Sequence, residues 1–245
     1  MLAFTGVGRT FPDGTQALDD VDLTVDSGEF VSVVGPSGCG KSTLLRLASG
    51  LDSPTSGQVD VASKRVGFVF QDPTLLPWRT VRRNVELLAE LEHLPKAQRR
   101  ARVTEAIGLV GLTGFEKHRP RSLSGGMRMR TSLARSLVLQ PDVFLFDEPF
   151  GALDEMTRER LNDELLALFA DRGFAALFIT HSVAEAVYLS TRVVVMSTRP
   201  GHILGDVSIP FGYPRQPDLR YTEEFAKVAG EVSDLLRDVP RRPAR

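Results

Sequence analysis

Cysteine is all but missing from this chain. Cys39 is the only one in 245 residues, so no intrachain disulfide can form and a buried core must hold the fold. No secretory leader is evident at the start, and with the scarcity of cysteine this leads us to expect a reducing, cytosolic setting. Long apolar runs are missing as well. Stretches such as 143–146 and 193–196 fall far short of the roughly 20 residues a membrane-crossing helix needs, so any membrane association is expected to come through a partner. Neither sign of charge dominates: 30 Lys and Arg face 31 Asp and Glu, a net charge of -1. That balance gives no cationic field to draw nucleic acid or anionic lipid, and no nucleic-acid partner is expected. Repeats and low-complexity tracts are absent too. What remains is 42% hydrophobic and 25% charged residues, enough for one globular unit with a substantial core and room for an inserted lobe.

Short β-branched and aromatic runs at 30–34, 66–70, 143–146, 176–180 and 193–196 read as buried strands. Helical patterns follow several of them. Residues 44–49 continue out of a glycine-rich loop, and 158–169 carry Leu161, Leu165, Leu166, Leu168 and Phe169 as an apolar stripe. Strands alternating with helices predict a parallel α/β core. Between 73 and 139 the strand signal lapses, and charged, helix-favouring stretches at 81–94 and 96–110 predict an inserted helical lobe, the second stretch entered through Pro95. Phe225, Val228, Ala229, Val232, Leu235 and Leu236 recur with helical period, which predicts a C-terminal helix before a basic tail at 241–245.

The strongest chemical signal is the run Gly35, Pro36, Ser37, Gly38, Cys39, Gly40, Lys41, Ser42, Thr43, which satisfies the phosphate-loop pattern between a predicted strand and a predicted helix. Its glycines let backbone N–H groups converge on phosphate oxygens, and the helix adds its positive end. Lys41 would reach the β- and γ-phosphates of ATP, and Ser42 would offer a hydroxyl to Mg²⁺. Cys39 reads as a small side chain tolerated beside phosphate. A second signal is the apolar strand 143–146 ending in Asp147 and Glu148. Neighbours on a strand point to opposite faces, but a chain that turns at the strand's end can aim both acids at the phosphate loop. Asp147 would then hold Mg²⁺, while Glu148 would act as general base on the attacking water.

Many ATPases and GTPases fit those two signals; the third narrows the field. Leu123, Ser124, Gly125, Gly126 and Met127 open a helical run at 128–139. Ser124 suits a helix N-cap, and the two glycines permit close backbone approach, so one chain carries a second anion-binding helix end. With the motifs in this order, the chain resembles the ATP-binding-cassette family over about residues 1–240, most closely the subunits that drive bacterial nitrate, sulfonate and taurine importers. Met127 is similar to that branch, whose usual continuation has Gln where this chain has Met129. The resemblance implies a P-loop NTPase core, α/β, with an N-terminal antiparallel β subdomain and an inserted α-helical subdomain at about 73–139, in one ATP-binding domain.

Further positions match the family one by one. Gln71 resembles the glutamine that contacts Mg²⁺ or the attacking water, Asp154 the loop that crosses the dimer interface, and His181 the switch histidine that meets the γ-phosphate. Phe11 resembles the aromatic platform on which adenine stacks, a task any π-face can perform. Leu75, Leu76, Pro77 and Trp78 look characteristic of the nitrate, sulfonate and taurine branch, as does the run 196–201; in the family the groove beside the first of these receives a cytoplasmic helix of the membrane subunit. His93, His118 and His202 match no motif. The resemblance also implies a head-to-tail dimer with two ATP molecules sandwiched between Ser124, Gly125 and Gly126 of one copy and the phosphate loop of the other. It further implies transmembrane permease subunits, indirectly a solute-binding protein, and a peripheral position on the cytoplasmic face of the membrane. The alternative is a soluble cassette ATPase acting on nucleic acid or ribosomes. Such proteins usually bring two cassettes, a long coiled coil or a basic surface, none of which this sequence has. A P-loop kinase or GTPase needs neither the Leu123–Met127 motif nor His181.

Overall fold

A computed structural model describes residues 1–237 and 239; the basic tail at 241–245 lies outside the described residues. The chain opens with strands β1 (Leu2–Thr10) and β2 (Gln16–Val25), followed by β3 (Phe30–Val34) and helix α1 (Lys41–Ala48). Then come β4 (Ser56–Val61) and β5 (Val66–Val69), and three helices in succession: α2 (Val81–Leu91), α3 (Lys96–Leu109) and α4 (Gly125–Leu137). Strand β6 (Val143–Asp147), helix α5 (Glu155–Arg172), β7 (Ala175–Ile179), α6 (Val183–Leu189), β8 (Arg192–Met196), β9 (Ile203–Ser208) and α7 (Glu223–Arg237) complete the order.

Two sheets form. The main one runs β5-β6-β7-β3-β8-β9, its first five strands parallel and β9 antiparallel at the edge. The other is antiparallel, β2-β1-β4. Every residue of β3 and of β7 is buried, as expected where a parallel sheet is covered on both faces. Strand periodicity divides the core in two. Phe30, Phe144, Phe146 and Phe178 point to the side covered by α2 to α7, while Val31, Val33, Leu145, Leu177 and Ile179 point to α1 and the antiparallel sheet.

On the helical side the rings interlock, with Phe30 and Phe169 edge to face at 5.3 Å. Helices α2, α3 and α4 pack on one another and join that same core through Val85, Ala106, Ile107 and Leu133. Met129 is 3% exposed within this packing, so an apolar side chain suits its place. Element ends differ from the sequence reading where caps decide them. Ser124 caps α4 by accepting from the Met127 N–H at 3.3 Å, so the helix starts three residues before the predicted 128. Asp154 caps α5 likewise from Thr157 at 3.0 Å, and Gly173 in the left-handed region ends it. Among the described residues no helix is long and apolar enough to cross a membrane.

Candidate functional site

Parallel strands bring their carboxyl ends to one edge of the sheet, where ligands of such folds bind. Here β3 leads into the phosphate loop, β5 runs towards Gln71, β6 ends on Asp147, and β7 is followed by Thr180 and His181. A cleft opens over these ends. Phe11, Ser37, Gly38, Gly40, Lys41, Ser42, Thr43, Gln71 and Glu148 line it, all of them singled out by the sequence.

The loop's shape depends on glycine at particular places. Gly40 has φ 108°, and a Cβ there would stand 2.8 Å from Ala17 O. Lys41 is buried at 6% and donates from Nζ to Gly35 O at 2.8 Å and to Pro36 O at 2.9 Å, which folds the loop around its ammonium group. Cys39 is buried and packs in the core cluster with Val33 and Leu44, its Sγ 3.7 Å from Lys41 Nζ.

Ser42 Oγ donates to Asp147 Oδ1 at 3.0 Å, bringing two oxygen atoms together that could hold a metal ion. Burial is the main influence on Asp147 and raises its carboxyl above the usual range; the Ser42 hydroxyl opposes this, Glu148 adds to it, and Lys41 opposes it. The next residue leaves the strand conformation. Glu148 has φ 43°, a left-handed backbone that costs a non-glycine residue energy and is held here by its N–H bond to Ile179 O at 3.0 Å. Its carboxylate Oε2 lies 3.2 Å from His181 Nδ1. Gly151 closes under the pair, its added Cβ 3.4 Å from His181 Cε1.

Phe11 is half-buried on the cleft wall, with the Arg9 guanidinium 5.1 Å above its ring and Arg9 itself paired to Asp52 at 2.7 Å. The cleft's lining does not include Ser124, Gly125, Gly126 or Asp154. Those four form a separate cluster at the starts of α4 and α5. A Cβ on Gly126 would come within 2.7 Å of Thr157 Cγ2, and one on Gly125 within 3.3 Å of Leu153, so the two turns pack tightly on each other. The loop of Leu75, Leu76, Pro77 and Trp78 leaves Trp78 68% exposed.

Sequence reasoning missed Arg199. It lines the same cleft, donates from Nε to Gly38 O at 3.1 Å, and sits in a run noted only for its branch character. Asn84 and Arg135 were likewise unassigned. Fully buried Asn84 accepts from Leu76 N at 2.8 Å and donates to the carbonyls of Leu76, Arg79 and Thr80; buried Arg135 donates to the carbonyls of Pro73 and Thr74. Together they fix the loop that follows Gln71. Asn84 falls in the stretch after Trp78 that looks characteristic of the branch, but the sequence gives neither residue a role; the three-dimensional contacts do.

A family model described as "ABC transporter" matches residues 18–151. An uncharacterized ABC transporter ATP-binding protein of Methanocaldococcus jannaschii is 46% identical over 230 residues, 91% of this chain and 85% of that protein. The nitrate import ATP-binding protein of Synechocystis is 44% identical over 252 residues, covering 96% of this chain and 95% of its own. The aliphatic sulfonates import ATP-binding protein of Bacillus cereus is 39% identical over 241 residues and 94% of each chain. Among solved structures, a dimeric ATP-binding cassette in a post-hydrolysis state bound to ADP and Pi superposes with a TM-score of 0.76 at 31% identity, over 86% of this chain and 100% of that one.

Proposed function

The chain belongs to the ATP-binding-cassette transporter family, and from that premise we propose that it is the ATP-hydrolysing subunit of an importer for a small anion, of the kind represented by nitrate or a sulfonate. One observation carries the catalytic part. A phosphate-cradling lysine loop, a hydroxyl–carboxylate pair and a carboxylate–histidine pair meet at a single sheet edge, the arrangement ATP hydrolysis requires. Residues 1–240 act as one cassette in this reading, with about 73–139 as its helical insert.

Lys41 and the N–H groups of residues 35–43 would hold the β- and γ-phosphates, exchanging the loop carbonyls for phosphate oxygens, and Phe11 would stack on the adenine. Arg199 would add a cation at the rim. Glu148 would take the proton of the attacking water, and His181 would hold both the γ-phosphate and the Glu148 carboxylate in place. Mg²⁺ fits the donors present. Ser42 and Asp147 supply hard oxygens, with Gln71 across the cleft, and no group of three or more His, Cys, Asp or Glu among the described residues forms a metal cage of its own. Mg²⁺ suits such a site because it takes one or two protein oxygens together with substrate phosphates. When bound it would neutralise charge building on the phosphates.

The Ser124, Gly125 and Gly126 turn stands apart from the chain's own phosphate loop, which suits it to the ATP of a second copy. Asp154, packed beside it, would sit at the same dimer interface. ATP bridging two copies favours the closed dimer, and hydrolysis removes the bridge. Trp78 and its pinned loop would pass that movement to the permease at the cytoplasmic face of the membrane, with a solute-binding protein delivering the anion from the other side.

The test is affinity purification of the tagged chain from gently solubilised membranes, with identification of co-purifying proteins and a vanadate-sensitive ATPase assay. Recovery of a multi-span permease with ATP turnover is the expected result. Recovery of ribosomal or DNA-bound proteins without any membrane protein would refute the transport reading.

A further inference from the structure

Beneath the turn that carries His181 lies a buried carboxyl group with no part in the chemistry outlined above. Glu185 stands in the first turn of α6 and is 6% exposed. Ser182 and Glu185 have the spacing of a capping box, and half of that motif forms: the Ser182 hydroxyl accepts from the Glu185 N–H at 3.3 Å. The other half is diverted. The Thr180 hydroxyl accepts from the Ser182 N–H at 3.0 Å and donates its own proton to Glu185 Oε2. Both chain neighbours of His181 are therefore linked in series to one buried carboxyl.

The same carboxyl looks towards α5. Helices α5 and α6 pack on each other. Arg158 and Asn162, four residues apart and so on one face of α5, lie near enough to act on the carboxyl, although neither side chain forms a hydrogen bond or ion pair with it among the described residues. Burial pushes the Glu185 carboxyl up, against the Thr180 hydroxyl, the charge of Arg158, the Asn162 amide and the charge of His181. Arg158 reaches in the other direction as well, donating from Nη2 to Leu153 O at 3.0 Å, beside Asp154. Three buried atoms here, Glu185 Oε1, Asn162 Oδ1 and Arg158 Nε, have no hydrogen-bond partner among the described residues. Folded proteins pair nearly all such atoms, so three orphans at one joint set it apart from the rest of the interior.

We propose that Glu185 is a positioning residue for hydrolysis, tying the turn that holds His181 to the helix whose start carries Leu153 and Asp154, so that both parts of the site move together. The inference rests on the assignment of Glu148 and His181 to ATP hydrolysis and deepens it. A carboxyl serving only the local fold would affect stability; a tie of this kind affects the rate with ATP already bound.

Steady-state ATP turnover by the full chain separates these roles, using Glu185→Ala, Thr180→Val and the double variant. Each single variant is expected to lose about 10-fold in kcat with KM for ATP within about 2-fold of wild type. The double variant is expected to be no slower than the slower single one, since both residues act through one contact. Glu185→Gln still accepts from Thr180 and offers Asn162 Oδ1 an amide N–H, so kcat returns to within about 3-fold of wild type. Wild-type kcat in Glu185→Ala, or losses that multiply in the double variant, overturns the proposal. Should Glu185→Ala not fold, Thr180→Val carries the same readout, and an unchanged kcat there overturns it. A wild-type chain with no ATP turnover, alone or with its permease, would instead overturn the hydrolytic reading, and the inference would fall with it.

Discussion

His181 Nδ1 stands 3.2 Å from Glu148 Oε2, so the residue after β6 and the turn after β7 share one contact at the mouth of the cleft. The histidine is the more open of the two, its side chain 58% exposed against 25% for the glutamate. An exposed imidazole beside a half-buried carboxylate can meet a phosphate from solvent while steadying the base behind it. Glu148→Gln keeps the shape and removes the proposed base, so turnover is expected to fall by about 10² to 10⁴. The variant should still bind ATP and dimerise, which size-exclusion chromatography with and without ATP would show. Hydrolysis at the wild-type rate would rule out Glu148 as the base.

Arg199 touches the phosphate loop through a carbonyl and takes no part in proton transfer. Its loss should weaken nucleotide binding while leaving the chemical step alone. For Arg199→Ala the expectation is a KM for ATP raised about 10-fold with kcat within about 2-fold, the size of one charged hydrogen bond. A fall in kcat at unchanged KM would place Arg199 in the reaction itself.

Asp147 has its carboxyl raised above the ordinary value of 3.8, chiefly by burial. An acid that holds its proton more tightly folded than unfolded makes stability decline as pH climbs from the unfolded value to the folded one, and the deficit persists at higher pH. Asp147→Asn removes that deficit. Its thermal midpoint at pH 7 should exceed that of the wild type, and its stability should rise more steeply with pH on the acid side because the opposing contribution of Asp147 is gone, while Mg²⁺-dependent turnover collapses. A lower midpoint at pH 7 would contradict the argument.

Asn84 and Trp78 belong to one loop system but should behave oppositely. Asn84→Ala leaves the Leu76 N–H and the Arg79 carbonyl without their buried side-chain partner, while Leu76 O keeps the Arg79 N–H and Thr80 O keeps the N–H of residue 84, and should cost about 1 to 3 kcal/mol in urea unfolding. Trp78 is mostly exposed, so Trp78→Ala should change stability by about 0.5 kcal/mol or less. The same variant should reduce permease recovery about 10-fold if the ring is an interface anchor. Undiminished recovery would exclude that role.

The parallel core was legible because strands buried on both faces read as unbroken apolar runs. The antiparallel sheet was legible only through family resemblance, for a physical reason. In β1 the pairing with β2 slips between Phe4 and Val7, where Gly6 sits at φ 56°, and again between Val7 and Arg9, where β2 carries Asp20 at φ 48°, so the two-residue alternation breaks where a reader would look for it. Strand β4 is mostly exposed and gives no apolar signal. Helix α6 spans seven residues, too few to display a helical period. In the cleft, residues within motifs stand out and residues recruited singly do not. Arg199 comes from beyond β8, and its importance depends on a contact 161 positions away in sequence.

That recruitment also bears on how the protein is made. A Cβ on Gly201 would overlap Cys39 O at 2.0 Å, so bare backbone from the far end of the domain lies flat against the underside of the phosphate loop. Gly201 N also donates to Ala17 O, and Asp19 N donates to Gly201 O, stitching the same segment to the first sheet. Residues 35–43 leave the ribosome early, yet the surface that supports them emerges some 160 residues later. At elongation speeds of about 5–20 residues per second, the nascent loop waits roughly 8 to 32 seconds for its support. The ATP site is thus a late product of translation, and a chain halted before residue 201 carries the whole phosphate-binding motif without the scaffold that shapes it.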